Sequence, residues 1–214
     1  MALATYSDLK ASLASWLHRT DLTSQIPDFI TMAESRLNRL LTLRQMEMET
    51  TLTMTPGSRY VTLPTDFNGP VALWLETYPP RQKLTLCTAA ELPVTSNVNG
   101  SPNYWAIDGL NVAFDRPADQ AHTLTFRYIK TFTLTDAAPT NALLSSYPDA
   151  YLFGALLEAV PYLNNDARLP MWQERFDRAV KEISNNENES KSRAPLTTEV
   201  SALRGRRFNI FRGW

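Results

Sequence analysis

The sequence predicts an α+β protein. The expected architecture is a four-helix bundle formed by N- and C-terminal helix pairs, with an inserted antiparallel β module and an extended C-terminal tail. Three observations predict it. Apolar residues recur at helical spacing toward both ends of the 214-residue chain. Between those regions the apolar period drops to two, the mark of half-buried strands. The last stretch turns basic and aromatic. The organisation that follows is 1–44 for the first helix pair, 45–140 for the β module, 141–190 for the second helix pair and 191–214 for a docking tail.

Residues 5–18 read as the first helix. Thr5-Tyr-Ser-Asp8 resembles a capping box with Asp in place of Glu, and Leu9, Leu13, Trp16 and Leu17 share one face. The second helix spans about Ile26 to Leu41. Pro27 sits in its first turn, where a missing N–H costs nothing. Ile26, Phe29, Ile30, Ala33, Leu37, Leu40 and Leu41 form its apolar stripe. A short loop joins the two, which predicts an antiparallel pair.

From Gln45, Met46, Met48, Leu52 and Met54 alternate with Glu47, Glu49, Thr51 and Thr53, a half-buried strand. Pro56-Gly57 marks a turn into a second strand, Arg59–Leu63. Val71–Thr77 and Lys83–Cys87 read as strands flanking Tyr78-Pro79-Pro80. Tyr104–Ile107 and Leu110–Phe114 form the clearest hairpin, joined by Asp108-Gly109. Thr123–Thr133 is the last strand, with Leu124, Phe126 and Tyr128 on one face. Pro148 opens a helix that is apolar nearly all round (Tyr151, Leu152, Phe153, Leu156, Leu157, Val160), which predicts full burial. Pro161 should kink or end it. The last helix covers about Asp166–Asn185, with Trp172, Phe176, Ala179, Val180 and Ile183 inward. Asn185, Asn186, Asn188, Ser190, Ser192 and Pro195 then read as a linker.

A chain of this length can bury about 70% of its unfolded surface. It has no apolar run long enough for a transmembrane helix and no basic-then-apolar start, so neither a membrane partner nor a secretory signal is expected. Cys87 is the only cysteine, which excludes an internal disulfide framework and suits a reducing compartment. One cysteine and two histidines argue against a structural zinc site, and no glycine-rich phosphate loop is present, so no cofactor is expected.

Residues that could carry chemistry have plainer readings. His18 falls in the last turn of helix one, where a cation is favoured. His122 shares a strand face with Leu124 and Phe126 and reads as a partly buried strand residue. Cys87 has Leu84 and Leu86 beside it and reads as a small core residue. A Cys87–His122 nucleophile pair has no local signature in its favour. Glu47 and Glu49 are the polar face of a strand rather than a catalytic pair. No constellation points to an enzyme.

The tail is the most distinctive segment. Lys191, Arg193, Arg204, Arg206, Arg207 and Arg212 face one acid, Glu199, a net charge of +5, while the rest of the chain holds 15 basic and 21 acidic residues, a net of −6. Leu203, Phe208, Ile210, Phe211 and Trp214 intersperse the arginines. Solvated tails gain nothing from aromatics, so this one reads as a docking segment with arginine and aromatic anchors. Folding back on its own body is the plainer alternative. Phosphate binding through Arg204-Gly205-Arg206-Arg207 is a third, opposed by Glu47, Glu49, Glu76, Asp108 and Asp115 in the β module.

The order of several short motifs resembles the head-to-tail adaptor (connector) proteins of short-tailed bacteriophages. Thr5-Tyr-Ser-Asp-Leu9 to Trp16, Ile26-Pro-Asp-Phe-Ile30, Ala33-Glu34 and Arg36-Leu-Asn-Arg39 are similar to the start of such adaptors. Tyr60-Val-Thr-Leu-Pro64-Thr-Asp66-Phe67 resembles their strand-then-turn signature. Gly100-Ser-Pro102-Asn-Tyr104, Gly109, Pro117, Thr123–Tyr128, Leu143-Leu144, Tyr147-Pro148-Asp149, Tyr151–Ala159, Trp172 and Phe176 follow in familiar order. The resemblance covers about 1–190. It implies a structural virion protein of the head-to-tail interface, made in the bacterial host cytoplasm. It implies a homo-oligomeric ring, a dodecamer, under the phage portal protein, with tail nozzle proteins attached below. Genomic DNA would pass through the channel without sequence-specific binding. It also implies that the C-terminal extension grips the portal. Arg204, Arg206, Arg207 and Arg212 would then meet portal acids, and Phe208, Ile210, Phe211 and Trp214 its apolar pockets. A DNA-binding module using the basic tail, or another tail or head-completion protein, are the alternatives.

Overall fold

The structure is a computed structural model, and it describes residues 3–192 apart from 20, 78, 96–97 and 164–166. Five α-helices are present among the described residues: α1 (Tyr6–Leu17), α2 (Ile26–Leu40), α3 (Ala142–Ser146), α4 (Pro148–Glu158) and α5 (Leu169–Ser192). Eight strands accompany them: β1 (Glu47–Thr53), β2 (Tyr60–Thr62), β3 (Phe67–Leu75), β4 (Gln82–Lys83), β5 (Thr85–Leu86), β6 (Tyr104–Asp108), β7 (Asn111–Phe114) and β8 (Thr123–Lys130). They form two four-stranded sheets, ordered β1-β8-β3-β4 and β2-β7-β6-β5. The protein is therefore a mixed α+β fold and not a four-helix bundle, although the inserted β module is present.

The reason lies in α4. A helix that is apolar on every side needs neighbours on every side, and α1, α2, α3 and α5 all pack on it. Ala150, Tyr151, Leu152, Gly154, Ala155, Leu156 and Leu157 are buried there. The result is a hub with helices around it rather than four equivalent bundle members. The extra helix, α3, is set by its ends. Asn141 caps it by accepting the Leu144 N–H at 2.7 Å. Tyr147, which precedes Pro148, leaves helical geometry at φ −139°, ψ 63°. Pro161 ends α4 as expected, and the chain continues as a 3-10 turn over Val160–Tyr162.

The capping box of α1 is present: the Asp8 N–H donates to Thr5 Oγ1 (3.2 Å) and the Thr5 N–H to Asp8 Oδ2 (3.1 Å). His18 does not lie inside the last turn. It is the residue after the helix, in the left-handed region at φ 52°, with its N–H on the Ser15 carbonyl. Helix α5 runs seven residues past the predicted end at Asn185, so the stretch read as a linker is helical to Ser192. Glu187 explains part of this, because its Oε1 accepts the Arg44 backbone N–H at 3.1 Å. A helix already docked adds one backbone bond per further residue.

In the β module the core lies between the two sheets. Leu73, Leu75, Leu124, Phe126 and Tyr128 from one meet Trp105, Val112 and Phe114 from the other. Trp105 stands edge-on to Phe126 at 5.7 Å between ring centroids. The module is not wholly antiparallel: β5 pairs with β6 in parallel. The predicted strand over 83–87 divides, β4 joining one sheet and β5 the other, with buried Leu84 at the crossing. Strand β3 starts at Phe67, ahead of the predicted Val71, and accommodates Pro70 between two register shifts. The β6–β7 hairpin has Gly109-Leu110 as its loop, because Asp108 already pairs with Asn111. Positive φ is confined to Gly109 (59°) in that loop, the pattern of a II′ turn.

Candidate functional site

His122, Cys87, Glu47 and Glu49 are all engaged in structural contacts. His122 is fully buried at the start of β8. Its Nε2 lies 2.7 Å from Asp119 Oδ1 and its Nδ1 3.0 Å from Thr77 Oγ1. With Nε2–H donated to the carboxylate, Nδ1 accepts the threonine hydroxyl. The bond from His122 holds the Asp119 carboxyl below its ordinary range. Cys87 donates its thiol to the Trp105 carbonyl (3.4 Å), and burial, followed by the charges of Glu91 and Asp115, pushes that thiol up. A thiol held protonated is a poor nucleophile, and the ring nitrogens of His122 are occupied elsewhere. Cys87 and His122 thus serve different neighbours.

Glu47 and Glu49 share one guanidinium. Arg127 Nη2 stands 2.6 Å from Glu47 Oε2 and its Nη1 3.6 Å from Glu49 Oε1. The three residues form a cross-strand ion cluster on the outer face of β1 and β8, since Glu49 lies directly opposite Arg127. Asp115 is not a surface acid. It is 1% exposed, accepts the backbone N–H groups of Asn103 and Tyr104, and pairs with Arg116 Nε at 3.0 Å. No group of three or more potential metal ligands exists among the described residues. An apolar cleft of about 640 Å³ opens on the β module between Phe67, Pro70, Leu86, Cys87, Glu91 and Ile107, and no polar constellation converges on it.

One buried acid was not singled out by the sequence reading. Glu34, on α2, is 6% exposed. Tyr151 donates to its Oε1 at 3.2 Å, Asn141 Nδ2 donates to Tyr151 Oη at 2.6 Å, and the Leu134 backbone N–H also donates to Glu34. Burial without a cation pushes the Glu34 carboxyl up to about 7, against those hydrogen bonds. The same burial, with Glu34 beside it, pushes the Tyr151 phenol up strongly, so it stays a donor. One turn on, Asn38 exchanges both of its amide groups with the Phe132 backbone, Nδ2 to O at 2.9 Å and N to Oδ1 at 2.8 Å. Glu34 and Asn38 together tie the segment leaving β8 to α2. The signal available in the sequence was an acid on the apolar stripe of α2, beside Ala33.

The predicted docking residues Arg204, Arg206, Arg207, Phe208, Ile210, Phe211, Arg212 and Trp214 lie outside the described residues. Helix α5 is described to Ser192, and Glu187 Oε1 accepts the Arg44 backbone N–H, where the helical part meets β1.

Residues 4–199 match the family model described as SU10 adaptor protein. The chain belongs to the SU10 adaptor protein family. The match runs through both helical regions and the whole β module. It makes this adaptor a structural component of a bacteriophage virion, and a structural adaptor family implies a non-enzyme. A search of curated proteins returned no match. Residues 204–214 lie beyond the matched span.

Proposed function

We propose that the adaptor forms a ring, a dodecamer, beneath the portal protein at the head-to-tail interface. There it extends the DNA channel and offers the platform on which tail nozzle proteins assemble. The observation that carries this reading is the family match over residues 4–199. In this proposal segments 1–44 and 141–190 carry the ring contacts, and 45–140 faces the tail proteins or the neighbouring subunit. Genomic DNA passes without sequence-specific contact, in keeping with the net charge of −6 outside the tail.

Residues 191–214 are proposed as the portal clamp. Arg204, Arg206, Arg207 and Arg212 meet acidic groups of the portal, and Phe208, Ile210, Phe211 and Trp214 fill its apolar pockets. Support comes from the tail composition and from α5, which carries the chain to Ser192 as a helix. Repetition around a ring turns a weak single contact into stable attachment. The test mixes the cognate portal with full-length protein and with a chain ending at Ser192, followed by size exclusion with light scattering. Full-length protein should co-elute with the portal and the shortened chain should not. Equal binding by both would remove the tail from the clamp, and binding by neither would remove the portal as partner.

A further inference from the structure

Strand β1 is the outer strand of the β1-β8-β3-β4 sheet. The other three sheet edges, β2, β4 and β5, are two or three residues long, while β1 has seven. Every second residue of an edge strand turns its N–H and C=O away from its neighbour. Apart from its ladder with β8, the only backbone bond from β1 among the described residues runs from the Glu47 N–H to the Arg44 carbonyl. Proteins usually blunt such an edge with lysine, proline, a bulge or a cover. Among the described residues none is present: β1 reads Glu-Met-Glu-Thr-Thr-Leu-Thr, and its ladder runs unbroken from Glu47 opposite Ile129 to Thr53 opposite Thr123.

The two faces of this edge ask for different side chains. Met48, Thr50 and Leu52 lie opposite Tyr128, Phe126 and Leu124, on the core side of the sheet. Met48 nevertheless remains 44% exposed. On the other face Glu47 and Glu49 have one guanidinium between them, that of Arg127. A strand that fits must alternate apolar residues with a base. Residues 207–210 of this chain alternate in that sense, with Phe208 and Ile210 on one side and Arg207 and Asn209 on the other, and Phe211 ends the alternation. The last described turns of α5 lie close to this strand, because Glu187 is bonded to Arg44, three residues before β1. Extended, residues 193–206 reach about 45 Å, and β1 is about 23 Å long, so either strand direction is within range.

We propose that residues 207–211 add to β1 of the same chain as a fifth strand before the adaptor meets a partner. Resting on the portal-clamp reading, a consequence follows: one segment cannot occupy β1 and the portal together, so portal binding uncovers β1.

Hydrogen exchange followed by mass spectrometry on the full-length protein tests this. The outward-facing β1 amides should exchange at least tenfold more slowly there than in the full-length Phe208→Asp/Ile210→Asp variant or in a chain ending at Ser192. Adding a synthetic peptide of residues 203–214 to the shortened chain should restore the protection. Unchanged exchange in the β6–β7 hairpin would report that each variant is folded. Equal β1 exchange in all three proteins would overturn the proposal. Protection that disappears on dilution would also overturn it, by assigning the strand to a second copy. If the protein ignores the portal while β1 stays protected, the portal reading fails and this one stands.

Discussion

At the level of single residues, Glu34 makes stability depend on pH. Its carboxyl titrates near 7 in the folded protein and at about 4.5 when unfolded. The unfolded chain therefore ionises first as pH rises. Glu34's own contribution to stability is greatest below about 4.5, declines through about 7 and is level above it, with a total loss of at most about 3 kcal/mol. Glu34→Gln keeps an acceptor for Tyr151 and removes the titration. Urea midpoints measured from pH 5 to pH 8 should fall more steeply for the wild type than for Glu34→Gln, which should be the more stable of the two at pH 8. Equal slopes would show that Glu34 does not titrate in this window. At this scale the sequence was legible where side chains follow a simple period. The plain readings of Cys87 and of the Glu47–Glu49 strand face agree with their contacts, while His122, read as partly buried, is fully buried. Glu34 was hidden because its stripe position predicts burial and its type predicts exposure, and only its partners on α4 and the β8–α3 connector decide between them. Trp16 shows the reverse: it shares the predicted apolar face of α1, yet it is 38% exposed beside Phe153.

Elements were legible where their ends are marked locally. The Thr5 capping box, Pro27, Pro148 and Pro161 set helix ends close to where they are found. Ends set by tertiary contacts were not legible. Helix α5 continues to Ser192 through residues of low apolarity, with Glu187 held at Arg44. Strand β3 begins early because β8 supplies partners from Phe67 onward. Of the described glycines, Gly154 on α4 leaves the least room for a side chain. A Cβ built there would stand 3.1 Å from the Phe176 ring on α5 and 3.4 Å from Ala33 Cβ on α2. Gly154→Val forces these helices apart and should destabilise the protein by about 1–3 kcal/mol. Thermal unfolding would show a lower midpoint with native secondary structure retained below it. An unchanged midpoint would mean that α4 is less closely hemmed in than these distances require.

For the whole molecule, α+β character and the helix–sheet–helix order were readable from periodicity, but the bundle was not correct. Periodicity shows which residues turn inward and not which element they meet. For that reason the hub position of α4, the short α3 and the division of the strands into two facing sheets emerged only from packing. The family was legible from motif order spread over the chain, and the match over residues 4–199 agrees with it. The tail, with Arg204 to Trp214 as proposed anchors, stands apart by composition alone, because it breaks the charge balance of the rest of the chain. Electron cryo-microscopy of the purified portal mixed with full-length adaptor would show whether the adaptor sits between portal and tail. The expected result is a closed ring beneath the portal, with one helix–sheet unit per subunit and a C-terminal segment reaching into portal density. A portal left bare, or adaptor bound without a ring at its tail-facing end, would contradict it.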